Sequence, residues 1–301
     1  MPTPLTDDEL LKRPVVVVGA PRSGTTLLCQ MLGEHPDFYL AREPRVLWKY
    51  GNDSKSDALT AGDARPEVVR HIRKEFARRI REAGKQRLIE KTPSNALRLG
   101  FVKAVLPDAI FLHVMRAGAE SVLSIRSYWQ QHSSGIPTKQ LGRRVREIKL
   151  RQTPYYAREF FRRVASKVMP GAAGPTVWGP RLPGIEDWLR DRDLLDVCAL
   201  QWRMCVEMAV REGRHMPADS YTECPLEELD AAELGRLVDY CGLRPSAEVD
   251  AAFREKFDAR QPGGRSKAAD EAELKRVQEL IAPTVTWLET LRPAHNHRQS
   301  G

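Results

Sequence analysis

Cysteine is scarce and follows no pattern, with Cys29, Cys198, Cys205, Cys224 and Cys241 the five in 301 residues. An odd number without a CxxC pair or zinc-like spacing argues against a disulfide framework and a structural metal. These cysteines are expected to be reduced core residues, and no metal site is expected. Long apolar runs are also missing. The longest near the start is Val15–Val18, and no stretch approaches the roughly 18 residues of a bilayer-spanning helix. No membrane span is expected. The opening MPTPLTDDELLKR lacks the apolar centre of a secretory leader, which makes the cytoplasm the expected location. Composition is ordinary: hydrophobic residues make 42%, charged residues 29%, and there are 20 glycines and 21 prolines. These values exclude collagen-like, mucin-like and disordered chains. Basic residues exceed acidic ones, 48 against 40, for a net charge of +8. Such an excess serves solubility or holds a polyanionic ligand. It forms no long basic block and no nucleic-acid motif, so nucleic acid is not the expected partner.

A short valine run closed by Gly19 fits a buried parallel strand, and residues 25–32 fit the helix that follows. Helical spacing continues at 66–83, a strand is expected at 87–90, a helix at 94–105, a second buried strand at 109–115 and a helix at 117–131. This alternation predicts an α/β fold, a parallel β-sheet flanked by helices on both faces, with ligands at the carboxyl ends of the strands. Farther on, 169–183 is dense in Gly and Pro and reads as a long loop, with a lid or acceptor-side role expected for 166–190. Helices are expected at 194–211, 225–240 and 268–291, the last kinked or broken at Pro283, and a strand at 218–222. Residues 260–267 form a basic, glycine-containing loop and 293–301 a disordered tail. The whole chain, 1–301, is expected to be a single α/β domain.

Between the first strand and helix lies Gly19-Ala-Pro-Arg-Ser-Gly-Thr-Thr26, the layout of a phosphate-cradling loop in which backbone N–H groups and a helix N-terminus face an anion. Thr25 stands where the nucleotide-triphosphatase pattern GxxxxGK[ST] requires lysine, and Arg22 instead brings a cation into the loop. With Arg116, and not an acidic magnesium ligand, closing the second buried strand, the loop is poorly built for metal-assisted ATP hydrolysis. Arg116 and Ser124, eight residues apart, could add a guanidinium fork and a hydroxyl. By themselves they are weak, since Arg98 and Arg126 are equally basic and most such arginines solvate a helix face.

Together, PRSGTT after one strand and R(x7)S after a later one resemble the sulfotransferases that use 3′-phosphoadenosine 5′-phosphosulfate (PAPS). The run Arg22 to Arg45 is similar to the branch containing the tyrosylprotein and bacterial enzymes. The resemblance implies that Arg22, Ser23, Gly24, Thr25 and Thr26 hold the 5′-phosphosulfate and that Arg116 and Ser124 hold the 3′-phosphate. It implies Glu43 as the catalytic base, and Lys91, in Glu90-Lys-Thr-Pro-Ser-Asn95, as a stabiliser of the transferring group beside Arg22. It further places Tyr221 at a later strand end that touches the nucleotide, though Thr222 and Cys224 depart from the pattern. The basic loop with Arg265, Ser266 and Lys267 would close over the nucleotide.

The implied activity is transfer of a sulfuryl group from PAPS to a hydroxyl or amine acceptor whose class the sequence leaves open. Two other readings stay in view, a nucleotide kinase or NTPase with a degenerate loop and a non-catalytic polyanion-binding protein. Each site residue also has a plainer reading. Glu43 could be a surface carboxylate among arginines, with Arg45 near it, and Lys91 could merely pair with Glu90 or Glu43. His113 reads as a hydrogen-bonded core histidine, and His35 as a residue shaping a helix exit or as an alternative base. Tyr128, Trp178, Trp188 and Trp202 are readable as acceptor-pocket walls or as packing anchors. Oligomeric state is open, a homodimer included.

Overall fold

The computed structural model describes residues 5–132, 152, 153, 157, 177–258 and 270–291. After a one-turn helix α1 (Asp7–Leu10), the chain forms β1 (Val15–Val18), α2 (Thr25–Leu32), β2 (Phe38–Arg42), α3 (Arg45–Trp48), α4 (Pro66–Glu82), β3 (Arg87–Lys91), α5 (Leu99–Val105), β4 (Ile110–Met115) and α6 (Gly118–His132). The later described elements are α7 (Ile185–Asp191), α8 (Leu194–Gly213), β5 (Tyr221–Pro225), α9 (Ala231–Tyr240), α10 (Ala247–Asp258) and α11 (Glu271–Thr290).

Five strands pair in parallel in the order β2-β3-β1-β4-β5. The valine run forms the centre because all four side chains are fully buried and alternate between two cores. Val16 and Val18 face a cluster built on α4, α5, α6, α8 and α11, including Phe76, Phe101, Trp202 and Val277. Val15 and Val17 face α2, α9 and α10 through Leu28, Leu32, Leu237 and Phe253. Each such side chain stabilises the fold by roughly 1.5–3 kcal/mol. Strand order reverses beside β1: the chain leaves it towards β2 and β3, whereas β4 leads to β5 on the other side. That switch point lies at the carboxyl ends of β1 and β4, the place where open α/β sheets form the crevice that binds their ligands.

Several expectations are corrected. Strand β2 was not foreseen, and neither was α10. The helix expected over 94–105 splits at Arg98, whose φ of −157° separates a 3-10 turn (Pro93–Leu97) from α5. The strand expected at 218–222 lies instead at Tyr221–Pro225. Pro283 does not break α11, which Arg203 of α8 brackets by donating to the Leu280 carbonyl (3.4 Å) and the Thr284 hydroxyl (3.0 Å). In the region expected as loop, Ile185–Asp191 is helical, and the preceding segment is fastened down. Asp57 bonds the Arg181 backbone twice, at 2.7 and 2.8 Å, and Gln201 donates to the Trp178 and Pro180 carbonyls. Residues 166–176, 259–269 and 293–301 lie outside the described residues, and with them the loop of Arg265, Ser266 and Lys267. All five cysteines are buried and unpaired. Among the described residues no helix is long and apolar enough to cross a membrane.

Candidate active site

The loop after β1 is built around two left-handed residues, Arg22 (φ 69°) and Gly24 (φ 96°). Gly24 caps the N-terminus of α2, and a side chain there would meet Leu226 at 2.6 Å. Arg22 holds its conformation at a cost of roughly 1–2 kcal/mol, the kind of strain that concentrates at functional sites. Its Nε–H donates to the Ser124 hydroxyl at 3.1 Å, and its guanidinium lies 5.3 Å from the centre of the Tyr128 ring. Tyr128 in turn packs on Trp178 at 4.6 Å. From the end of β4, Arg116 donates to the Arg22 carbonyl at 3.3 Å and to Glu120 at 2.6 Å. The loop and the R(x7)S element, separate in sequence, thus meet at the switch point. Ser23 lies inside the loop at 1% exposure, its hydroxyl without a hydrogen-bond partner among the described residues.

A second cluster forms across the ends of β2 and β3. Their register sets Arg42 opposite Lys91, so that Glu43, one residue on, lies at the strand ends. The Glu43 N–H donates to the Lys91 carbonyl at 2.8 Å, with Glu43 itself in the left-handed region (φ 49°). Lys91 Nζ donates to Glu43 Oε1 at 2.6 Å, and Arg45 Nε lies 3.4 Å from Oε2. The lysine side chain is 7% exposed and the carboxylate 29%, so the carboxylate is the more exposed member of the pair. Since Lys91 also registers with Val17, the pair stands beside β1 and its loop. The crevice therefore gathers the ends of four strands: β2 brings Glu43, β3 Lys91, β1 the loop and β4 Arg116.

Tyr221 does not join this site. It begins β5, opposite Phe111, whereas the crevice lies at the other end, where Met115 pairs with Pro225. Its buried hydroxyl donates to Glu223 at 3.2 Å and lies 2.7 Å from Nδ1 of His113. His113 is the core histidine the sequence suggested, fully buried, and burial pushes its pKa down to about 4. Because the unfolded chain takes up that proton near the ordinary value of 6.5, the contribution of the neutral imidazole is present above pH 6.5 and is lost as pH falls towards 4. The destabilisation caused by His113→Gln is accordingly expected to be largest near neutral pH and to shrink through this window. Urea unfolding of both proteins across the range tests it, and a pH-independent difference would refute it.

His35 is buried, with Nδ1 accepting from the Asp37 N–H and Nε2 facing the Arg244 carbonyl, both at 3.2 Å. Both nitrogens are engaged in shaping the exit of α2. Trp202 is buried among core side chains and Trp188 packs against that core. Arg98, read as solvating a helix face, is fully buried, donating to Asn95 at 2.8 Å and facing Asp57 at 3.6 Å. Arg126 pairs with Glu273.

The model of the Sulfotransferase family matches residues 14–171, just over half of the chain. Among curated proteins, an uncharacterized protein of Aquifex aeolicus is 29% identical over 128 residues, 38% of this chain and 17% of that protein. Nodulation protein NoeE of Sinorhizobium fredii is 28% identical over 139 residues, 40% of this chain and 32% of that protein. The chain thus spans less than a third of the length of these relatives. Two solved structures share the fold. A sulfotransferase from Alicyclobacillus acidocaldarius superposes with a TM-score of 0.52 at 16% identity, covering 93% of this chain and 95% of that one. Sulfotransferase STF9 from Mycobacterium avium gives 0.52 at 13% identity, covering 93% and 77%.

Proposed function

Because the chain belongs to the sulfotransferase family, we propose that it transfers a sulfuryl group from PAPS to a hydroxyl or amine acceptor by in-line displacement. The observation that carries this reading is the meeting of Arg22, Ser124 and Arg116: two anion-binding elements 102 residues apart close on one crevice. A donor with phosphate at both its 5′ and 3′ positions needs two such elements. The Ser23 hydroxyl, buried without a hydrogen-bond partner among the described residues, supports the fit, since such a group calls for a partner that a ligand oxygen can supply.

Arg22, Ser23, Gly24, Thr25 and Thr26 would hold the 5′-phosphosulfate, and Arg116 with Ser124 the 3′-phosphate. Arg265, Ser266 and Lys267 are assigned to the same ligand on the sequence pattern. When bound, the donor supplies an activated sulfuryl group on a phosphate leaving group. What the chain adds is position and charge. Arg22, Lys91 and the loop N–H groups stabilise negative charge on the oxygens of the transferring group. Glu43 takes the proton of the acceptor hydroxyl, and its hydrogen bond from Lys91 and the nearby Arg45 fix the direction of the carboxylate at the strand ends.

The test is calorimetric titration with adenosine 3′,5′-bisphosphate beside ATP and Mg²⁺. Metal-independent bisphosphate binding is expected. Arg116 is held by Glu120, which is 65% exposed; such pairs contribute little and yield to a phosphate. Arg116→Ala is therefore expected to weaken bisphosphate binding by about tenfold to a hundredfold, the worth of a charged hydrogen bond. Binding of Mg²⁺-ATP with none of the bisphosphate would overturn the reading. Radiolabelled donor with a panel of sugars, phenols and lipid alcohols then identifies the acceptor class.

A further inference from the structure

Beneath the Glu43–Lys91 pair lies a buried carboxylate that the proposed chemistry leaves unused. Glu90 is fully buried on β3, and strand alternation turns it towards the face opposite its neighbour Lys91. Three donors converge on it. The Trp48 indole N–H donates to Oε1 at 3.0 Å, the Thr92 hydroxyl donates to the same oxygen, and the Asn95 amide donates to Oε2 at 2.9 Å. Burial pushes the Glu90 pKa up to about 7, against the pull of the Thr92 and Trp48 hydrogen bonds and of Arg98 and Lys91. A carboxylate at this depth is retained at a cost, which calls for a role that an apolar residue could not fill.

That role follows from what the three donors hold. Glu43 sits in a left-handed conformation that a non-glycine residue keeps only when the surroundings over-determine it. On its N-terminal side it is tied to β3 through the Lys91 carbonyl. On its C-terminal side the chain enters α3, four residues long and without a side-chain cap. Trp48 ends that turn fully buried, its ring against Phe76 and Phe101 at 5.4 and 6.2 Å, and its one polar atom is bonded to Glu90. Thr92 and Asn95 fasten the segment that leaves Lys91 to the same carboxylate. We infer that Glu90 is a positioning residue that acts through Glu43, locking α3 and the turn carrying the base to the end of β3. The inference rests on the assignment of Glu43 as the base.

Glu90→Gln is the sharpest test. A carboxamide offers one accepting and one donating end, while all three partners donate, so it cannot satisfy Trp48 and Asn95 together. Turnover is measured as bisphosphate release from PAPS, with water and with the best acceptor of the panel. Glu90→Gln is expected to lower kcat by about tenfold to a hundredfold, as a misplaced catalytic group does. Acceptor KM and bisphosphate affinity should stay within about twofold of wild type, the signature of an interaction that matters only in the transition state. In a Glu43→Gln background the same substitution is expected to cause no further loss. Trp48→Phe, which keeps an aromatic side chain but removes the N–H together with the pyrrole part of the indole, gives a smaller loss of the same kind and serves if Glu90→Gln does not fold. Unchanged kcat in both variants, or an equal loss with and without Glu43, would overturn the inference. Normal turnover of Glu43→Gln alone would identify the base assignment as the failed premise.

Discussion

Glu43→Gln is expected to lower turnover by about a hundredfold to ten-thousandfold, the usual contribution of a positioned general base, while adenosine 3′,5′-bisphosphate binds as tightly as before. The two effects separate because the amide keeps the shape of the carboxylate and still accepts from Lys91 Nζ, now 2.6 Å from Oε1, but takes no proton from an acceptor hydroxyl. The groups proposed to bind phosphate stand on other elements, Arg22 in the loop after β1 and Arg116 and Ser124 after β4, so the proposed donor site is left intact. Steady-state kinetics beside calorimetry provide the check. A variant that kept normal turnover would return Glu43 to the plainer reading, a surface carboxylate among arginines. The geometry weighs against that reading: exposed ion pairs seldom hold their geometry, whereas this carboxylate is met by a lysine side chain only 7% exposed and sits on a strained backbone.

The parts of the fold that were legible in the sequence are those where one local signal dominates. Four valines closed by Gly19 predict a central strand, and β1 with α2 falls on the expected residues because the loop between them leaves the chain little freedom. Strand β2 escaped because it lies at the sheet edge: its pattern mixes buried Phe38 and Ala41 with half-buried Tyr39 and Leu40 and exposed Arg42, and neither an apolar run nor strict alternation marks it. Its absence from the expected fold also hid why Glu43 and Lys91 meet, since the meeting is a matter of register between β2 and β3. The Tyr221 assignment failed by register alone. A strand ending near 222 would bring Tyr221 to the crevice, whereas one beginning at 221 takes it to the far end and into the core with His113. Arg98 and Glu90 were illegible for a different reason: hydrophilic side chains read as surface, and only the tertiary structure shows donors and acceptors arranged to compensate their burial.

Gly19→Ala is expected to disable the proposed donor site without removing any of its cations. A Cβ at Gly19 would stand 2.5 Å from the Val114 carbonyl oxygen and 2.6 Å from the Ser23 hydroxyl. The first of these belongs to the backbone of β4, which is hydrogen-bonded to β1 on one side and β5 on the other and cannot retreat without opening the sheet. The strain must go into the loop, displacing Ser23 and the turn that carries Arg22, or into the pairing of β1 with β4. Overpacking of this kind typically costs about 1–3 kcal/mol, and a cradle displaced by the same clash loses the alignment of its N–H groups with an anion. Urea unfolding is expected to show that destabilisation, and calorimetry at least about a tenfold loss of bisphosphate affinity, equivalent to 1.4 kcal/mol. Gly84→Ala is the control. Gly84 is left-handed (φ 64°), but a Cβ there meets nothing within 4 Å, so its cost is the conformational term alone, roughly 1–2 kcal/mol, with no effect on binding. Equal bisphosphate affinities in the two variants would overturn the prediction, showing that the clash at Val114 is relieved without displacing the loop.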